Sequence, residues 1–576
     1  MTSAAEPLEV DTDVLVIGGG PAATWAALTA RSEGARVTLV DKGMCGSSGV
    51  APAATVGHWW VEPAKREQAI IERDEVGGNL SERSWMLALL EETWRRWPEL
   101  GLTHGYPAGG IFRRMASPGA RYCQGPIYLR EMRRRVSHSG VRILDHSPAL
   151  ELLLDADGAV AGAAGVQRQK GRPWRIRAGA VVLATGGCAW KSGSLGSNVN
   201  TGDGYLMAAE VGVSLSGMEF SNYYGIVPKG SSMDKNGFNM VSTFYDADGN
   251  IVQSGWSGAA GASGPGGGLP GTGPAPSISG ARAGTGQKAA LIRAHLQGPV
   301  FQRLDLAPPQ AREGMRAQMP NFFVSLDRLG IDPFLDRYEI DFVNEGTVRG
   351  TGGARVVDDT CWTGVPGLWV AGDTASREAI VGGASGAGAP NAAWTISSGT
   401  WSGRAAAAHA LGRGARPAAE LSGAGHAGLR PAGTPLPRGS WRQLTVAIQD
   451  EINPPAKNGL RSGAKLDASL RELDLVWDTI RDGLAGPDGP SSEATVREQV
   501  WARETAAMAA SARWAYLSAS ARTESRAMHV REDFPATDPG QRQRVVISGV
   551  DAPQVTLEEI QDPVISAFDF ADEAAA

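Results

Sequence analysis

The chain has 576 residues, 42% hydrophobic and 20% charged, with a formal net charge of −6. That length allows several buried cores, about three or four domains on length alone, and the lack of a Lys/Arg excess argues against nucleic acid as a partner. Four widely spaced cysteines, Cys45, Cys123, Cys188 and Cys361, form no CxxC pair. Neither zinc nor an iron–sulfur cluster is therefore expected, no metal site is assigned, and a reducing cytoplasm is the expected compartment. No run of about 18 apolar residues occurs and the N-terminus MTSAAEPLEV lacks a basic start, so neither a membrane span nor secretion is expected.

In chain order, Asp13 to Ile17 is an apolar run ending at Gly18-Gly19-Gly20, which reads as a buried parallel strand and a turn. Pro21 to Ala27 opens a helix of small residues, and Arg36 to Val40 is a second strand running into Asp41. Ala180 to Gly187 and Gly367 to Asp373 repeat the pattern of strand and glycine turn and are assigned to the same sheet. Ser254 to Gly286, crowded with Gly, Pro, Ser and Ala, reads as a mobile loop, and Gly412 to Gly439 as a linker. Trp441 to Ile452, Ala468 to Gly483 and Glu493 to Arg522 have helical spacing and read as a separate helical domain. Val545 to Ser548 suggests a short strand in a tail whose acidic, Ala-rich end should fray.

Gly18-Gly19-Gly20-Pro21-Ala22-Ala23 fits GxGxxG/A between a strand and a helix, with Asp41 following 23 residues after Gly18. Gly18 permits the tight turn, Gly20 lets backbone N–H groups approach a pyrophosphate, and Ala23 allows close helix–strand packing. Asp41 can accept both ribose hydroxyls, which disfavours NADP. The fingerprint alone leaves FAD and NAD open. The distant Ala184-Thr185-Gly186-Gly187 and Ala371-Gly372-Asp373 turns favour FAD, because they can reach the ribityl and pyrophosphate of an extended flavin.

Taken with Asn200 to Gly204, Met218-Glu219-Phe220, Asp246 to Gly249, Gly298-Pro299-Val300, Gly352-Gly353, Pro366 to Asp373 and Glu524 to Pro535, these motifs resemble one flavoprotein family. It contains fumarate reductase, succinate dehydrogenase, L-aspartate oxidase and the adenylylsulfate reductase flavoprotein subunit. The resemblance implies an α/β fold: a Rossmann-like FAD-binding domain (1–225 and 345–411) with an inserted α+β capping domain (226–344). A linker (412–439), a C-terminal helical domain (440–535) and a tail (536–576) would follow. It also implies that Lys42, the loop Ser47-Ser48-Gly49, Ala149, Thr201 to Asp203, and Asn391 with Ala392 and Ala393 lie around the flavin.

Departures from the family pattern carry the functional reading. Tyr223-Tyr224 stands where the family has Phe-His, so Tyr224 fills one imidazole slot, and Val348 fills the second. Gly383 to Gly388 replaces a run that contains an arginine, with Gly386 near its slot, and Phe238 falls near the slot of the proton-shuttling arginine. The dicarboxylate clamp is thus absent. Ser48 and Gly49 stand where covalently flavinylated members have histidine, so the FAD is expected to be noncovalent. His58-Trp59-Trp60, Tyr223-Tyr224 and Trp394 suggest an aromatic pocket, and Arg349 a cation beside the flavin. The candidate catalytic residues are Arg349, Tyr224, Tyr223, Trp59 and His58, with Lys191 and Arg377 as further cations near the site; His529 reads as structural. The function expected is an FAD-dependent dehydrogenase, oxidase or reductase of secondary metabolism. Its small substrate would be aromatic or apolar, and its electron acceptor oxygen or a partner protein. The alternative is a subunit docked to a separate iron–sulfur protein.

Overall fold

The computed structural model describes residues 6–100, 120–235, 238–254, 279–384, 389–413, 420–486 and 493–560. Its main sheet has eight strands in the order Ser422–Gly423, Ala149–Leu154, Val160–Gln167, Arg172–Leu183, Leu8–Ile17, Val37–Val40 and Arg142–Leu144, with Leu368–Val370 also paired to Arg172–Leu183. Pairs made by Leu8–Ile17, Val37–Val40, Arg142–Leu144 and Leu368–Val370 are parallel. Val14 to Ile17 and Val37 to Val40 are buried throughout, as strands covered on both faces must be. Helix Pro21–Ser32 lies on one face, packed closely against helix Ala389–Gly412. A Cβ at Gly399 or Gly403 would stand 2.5 or 2.4 Å from the carbonyl oxygens of Ala22 and Ala26, so glycine at both positions sets the helix separation.

A five-stranded sheet (Tyr223–Pro228, Tyr338–Glu345, Phe301–Arg303, Thr243–Tyr245, Ile251–Ser254) forms the cap, inserted between Phe220 and Gly346. Its core is aromatic and aliphatic, with Phe238, Phe322 and Phe323 in mutual contact and Tyr338 against Phe322. Phe238, near the slot of the family's proton-shuttling arginine, is thus cap core. Helices Trp441–Ile452, Gly463–Gly483 and Glu493–Ala521 form the C-terminal helical region. Ser462 caps the second of these by accepting from the Lys465 N–H. The α/β architecture with inserted cap and C-terminal helices is the one the sequence indicates.

Three segments differ from the sequence reading. Of the Gly412 to Gly439 segment, the described part is no free linker: Ser422–Gly423 adds a strand to the main sheet, Ala427 is buried, and Arg430 pairs with Glu151. Edge pairing uses backbone groups, so a Pro/Gly/Ala composition does not prevent it. In the Ser254 to Gly286 segment, residues 255–278 lie outside the described residues, and helix Ser279–Gln297 begins before the expected loop ends. In the tail, the expected short strand is longer, Gln543–Ser548, and pairs on one side with a further strand, Gln554–Glu559, and on the other with Leu215–Ser216.

Candidate active site

A long cleft opens at the C-terminal ends of the parallel strands, and the glycine fingerprint forms its floor. Gly18 has φ +127°, and a Cβ there would stand 2.1 Å from the Ala184 carbonyl oxygen. A Cβ on Gly20 would meet nothing within 4 Å, so this residue borders open space. Gly20 N-caps helix Pro21–Ser32 without a side-chain acceptor, leaving first-turn N–H groups for an anion. Asp41 is buried beside them; its Oδ1 accepts from the Gly43 N–H (2.6 Å) and the Ser48 hydroxyl (2.8 Å), and Oδ2 is left for a ligand. Burial pushes the Asp41 carboxyl above its ordinary range, against the bonds from Ser48 and Gly43.

Of the residues expected around a flavin, Gly18, Gly20, Pro21, Ala22, Asp41, Lys42, Ser48, Gly49, Ala149, Ala184, Thr185, Gly186, Asp203, Gly372, Asp373, Asn391 and Ala392 all line this cleft. Ala23, Ser47, Thr201, Gly202 and Ala393 do not: Ala23 is buried behind the turn, where its small side chain lets helix meet sheet, Thr201 and Ala393 are fully buried, and Ser47 is exposed. The Lys42 ammonium is already committed, donating to Thr201 (2.8 Å), Asp203 (2.5 Å) and Glu504 (2.9 Å). Burial opposes that charge, but Asp203 and Glu504 outweigh it and raise the pKa. Lys191, also paired with Glu504, belongs to the same bridge between the sheet and the C-terminal helices. The buried oxygens Asn200 Oδ1 and Asn391 Oδ1, both on residues lining the cleft, have no partner among the described residues. Orphaned acceptors, an open glycine turn and a free carboxylate oxygen fit an extended dinucleotide.

At its far end the cleft meets the cap. Val348 and Arg349 enter on the short helix Gly346–Arg349, and Lys235 and Met319 come from the cap. Arg377 fixes that helix. Fully buried, it bonds the Asp373 carboxylate and donates to the Thr347 (2.6 Å) and Gly350 carbonyls. Arg377 therefore positions Arg349 rather than facing the cleft. Arg349 lies over the Tyr223 ring (4.7 Å), donates to its hydroxyl (3.3 Å) and stands 3.8 Å from Glu345. Burial opposes its charge, and Tyr223, Glu345 and Asp234 outweigh burial.

Lys235 is held by Glu345, Asp234 (2.6 Å) and the Ser194 hydroxyl (3.1 Å). Lys288 also lies over Tyr223, its Nζ 3.8 Å from the ring centroid, and its pKa is lowered mainly by burial. Burial raises the Glu345 pKa, as does Asp234, while Lys235 and Arg349 pull it back. Three cations thus face two carboxylates.

Four aromatic calls need correction. Tyr224 is 1% exposed and donates to the Asn453 carbonyl (3.0 Å); strand alternation sends Tyr223 toward Arg349 and Tyr224 into the cap core. Burial lifts its hydroxyl pKa well above the ordinary value, and its place in the cap core keeps it out of the cleft lining. In strand Thr55–Trp59 the first three residues line the cleft, whereas His58 packs on Trp97 and Tyr128 and Trp59 joins the sheet core. Trp394 is likewise core, its indole donating to the Gly372 carbonyl. The aromatic pocket therefore does not form. The cleft wall is instead small and aliphatic, with Val50, Val199, Met207, Met319 and Val348. Gly386 lies outside the described residues. Lys235, Lys288, Asp234 and Glu345 escape sequence reading because they carry no motif; the only signal is the adjacent acid–base pair Asp234-Lys235.

A nucleotide cleft of this form, under an inserted cap, defines an FAD-binding flavoprotein. A model of the FAD binding domain matches residues 13–224, and one of the fumarate reductase flavoprotein C-terminus matches residues 459–565. The chain is 30% identical over 239 residues to L-aspartate oxidase of Streptomyces coelicolor, covering 38% of this chain and 40% of that one. It is 28% identical over 255 residues to a probable fumarate reductase of Shewanella frigidimarina, covering 40% and 43%. The chain thus spans about two-fifths of the length of these curated relatives. Quinol fumarate reductase of E. coli superimposes with a TM-score of 0.77 at 19% identity, covering 97% of this chain and 98% of that one, and so shares the fold. In both matched regions the chain resembles the fumarate reductase and succinate dehydrogenase flavoproteins. Among the described residues no helix is long and apolar enough to cross a membrane, and no group of His, Cys, Asp and Glu could hold a metal.

Proposed function

We propose that this chain is an FAD-dependent oxidoreductase acting on a small, largely apolar organic molecule that is not a dicarboxylate. The observation that carries the reading is the end of the cleft, where Arg349 and Lys235 stand beside Val348 and Met319, and the two imidazole slots hold Val348 and a core-buried Tyr224. FAD supplies acceptance or donation of an electron pair. The fingerprint turn and helix N-terminus hold its pyrophosphate, Asp41 its ribose, and Asn200 and Asn391 offer acceptors along its length. Arg349 orients an anionic group or stabilises charge that develops in transfer, and the aliphatic wall with the cap excludes water. The cofactor is held noncovalently, since the cleft is lined by no His, Cys or Tyr among the described residues.

Oxygen takes the electrons, or a partner protein takes or supplies them. The four cysteines are all buried and mutually distant in sequence, so an iron–sulfur centre would belong to another polypeptide. The test is anaerobic incubation with a compound panel followed by admission of oxygen. Bleaching of the flavin by an apolar substrate is expected. No bleaching across the panel, with no reoxidation of reduced flavin, overturns the reading; failure to recolour in oxygen assigns the acceptor to a partner protein.

A further inference from the structure

A second cavity, of about 190 Å³, lies beside the cleft between the cap and the turn that precedes strand Thr55–Trp59. Pro52, Ala53, Leu195, Met233 and Phe322 give it an apolar lining, with Gln124 and Asn321 as polar residues. Ala54, Thr55, Lys235 and Met319 also line the flavin cleft, so the two spaces adjoin along these residues. Lys235 stands at the junction. Its ammonium is tied to Asp234, Glu345 and Ser194, so its methylene stem is what a passing ligand meets.

Charge sets the other end. Asp234 and Glu345 face Lys235, Lys288 and Arg349, leaving one positive charge in excess when all five are ionised. A ligand with one negative group balances that cluster, whereas a dianion leaves an unpaired charge in a buried site, which is costly.

We propose that the second cavity binds the apolar body of a monoanionic substrate whose charged group sits beside Arg349 in the flavin cleft. This rests on the oxidoreductase reading and gives it a substrate class: an amphiphilic monoacid, longer than the dicarboxylates. The reacting carbon lies near the charged end, by the flavin, and the tail runs past Met319 and the Lys235 stem.

The test is equilibrium binding of butanoate, hexanoate and octanoate to the oxidised holoprotein, read as perturbation of the flavin absorbance, with succinate as the dianion. Affinity should rise about fourfold for each methylene that enters the cavity, and succinate should bind more weakly than hexanoate. Leu195→Trp and, from a different segment, Ala53→Trp fill the cavity from residues that do not themselves line the cleft. Each should bring octanoate down to the affinity of butanoate while butanoate binding and FAD content stay as in the parent. Affinity independent of chain length in the parent protein, or a length dependence that survives both tryptophans, overturns the proposal. Binding is read without turnover, so failure of the panel in flavin reduction would strike the oxidoreductase reading and leave this series to be judged separately.

Discussion

Asp41→Ala tests the cofactor end of the cleft. The Asp41 Oδ1 is used within the protein, by Gly43 and Ser48, which leaves Oδ2 for a ribose hydroxyl. A hydrogen bond to a charged acceptor contributes about 1.5–3 kcal/mol, so losing one should weaken FAD binding by about 10- to 150-fold. The deleted carboxylate is itself buried, and relief of its desolvation keeps the loss toward the lower figure. Asp41→Asn, which keeps a neutral acceptor, should lie between the alanine variant and the parent protein. The assay is titration of apoprotein with FAD, followed by flavin fluorescence. A proton linkage accompanies it: burial raises the carboxyl pKa in the empty cleft, and the ribose bond favours the ionised form. FAD affinity should therefore fall as pH drops through that raised pKa, above the ordinary 3.8, and Asp41→Ala should flatten the fall. An unchanged dissociation constant in the alanine variant would refute the assignment of the fingerprint.

Arg349→Ala should slow flavin reduction by the true substrate on the order of 10²–10³-fold with FAD still bound, and Arg349→Lys should recover only part, because an ammonium lacks the guanidinium fork; near-normal stopped-flow rates in the alanine variant would remove Arg349 from the site. Acid precipitation should release the yellow chromophore into the supernatant, and colour left on the pellet would contradict noncovalent binding. His529 is fully buried; its Nδ1 accepts from Arg461 (2.7 Å) and its Nε2 donates to the Arg522 carbonyl (3.0 Å), so the neutral ring is the form held. Burial, then Arg461 and Arg522, push its pKa well below 6.5. The stability this gives is complete above pH 6.5 and declines as pH falls below it, where the unfolded chain takes up a proton that the folded chain excludes. Urea unfolding of the holoprotein as a function of pH should show that slope, and His529→Gln should lack it.

The cofactor half of the cleft was legible because its demands fall on the backbone: a positive φ at Gly18, open space at Gly20 and a carboxylate after the second strand are local and sequential. Ala23 shows the limit even there, since the same small residue serves close packing without touching the cleft. The substrate half was not legible. Strand alternation reveals that Tyr223 and Tyr224 point opposite ways but not which one meets Arg349, and aromatic residues score alike as pocket or core. Of the charge cluster only Arg349 was read, because insertion of the cap brings the others to it: Lys235 and Glu345 are 110 residues apart. No spacing rule reaches that far. Edge pairing by Ser422–Gly423 was hidden for a different reason, as it engages backbone groups that composition does not report.

The most direct test of the central claim is anaerobic flavin spectroscopy with matched acids. An apolar monocarboxylate from the panel should bleach the flavin, while succinate and L-aspartate leave it oxidised and fumarate fails to reoxidise the reduced form, because on the proposed reading the positions that the family resemblance assigns to a dicarboxylate clamp hold Val348 and Tyr224, and Tyr224 is buried in the cap core. Rapid bleaching by succinate or L-aspartate, or rapid reoxidation by fumarate, would contradict the account.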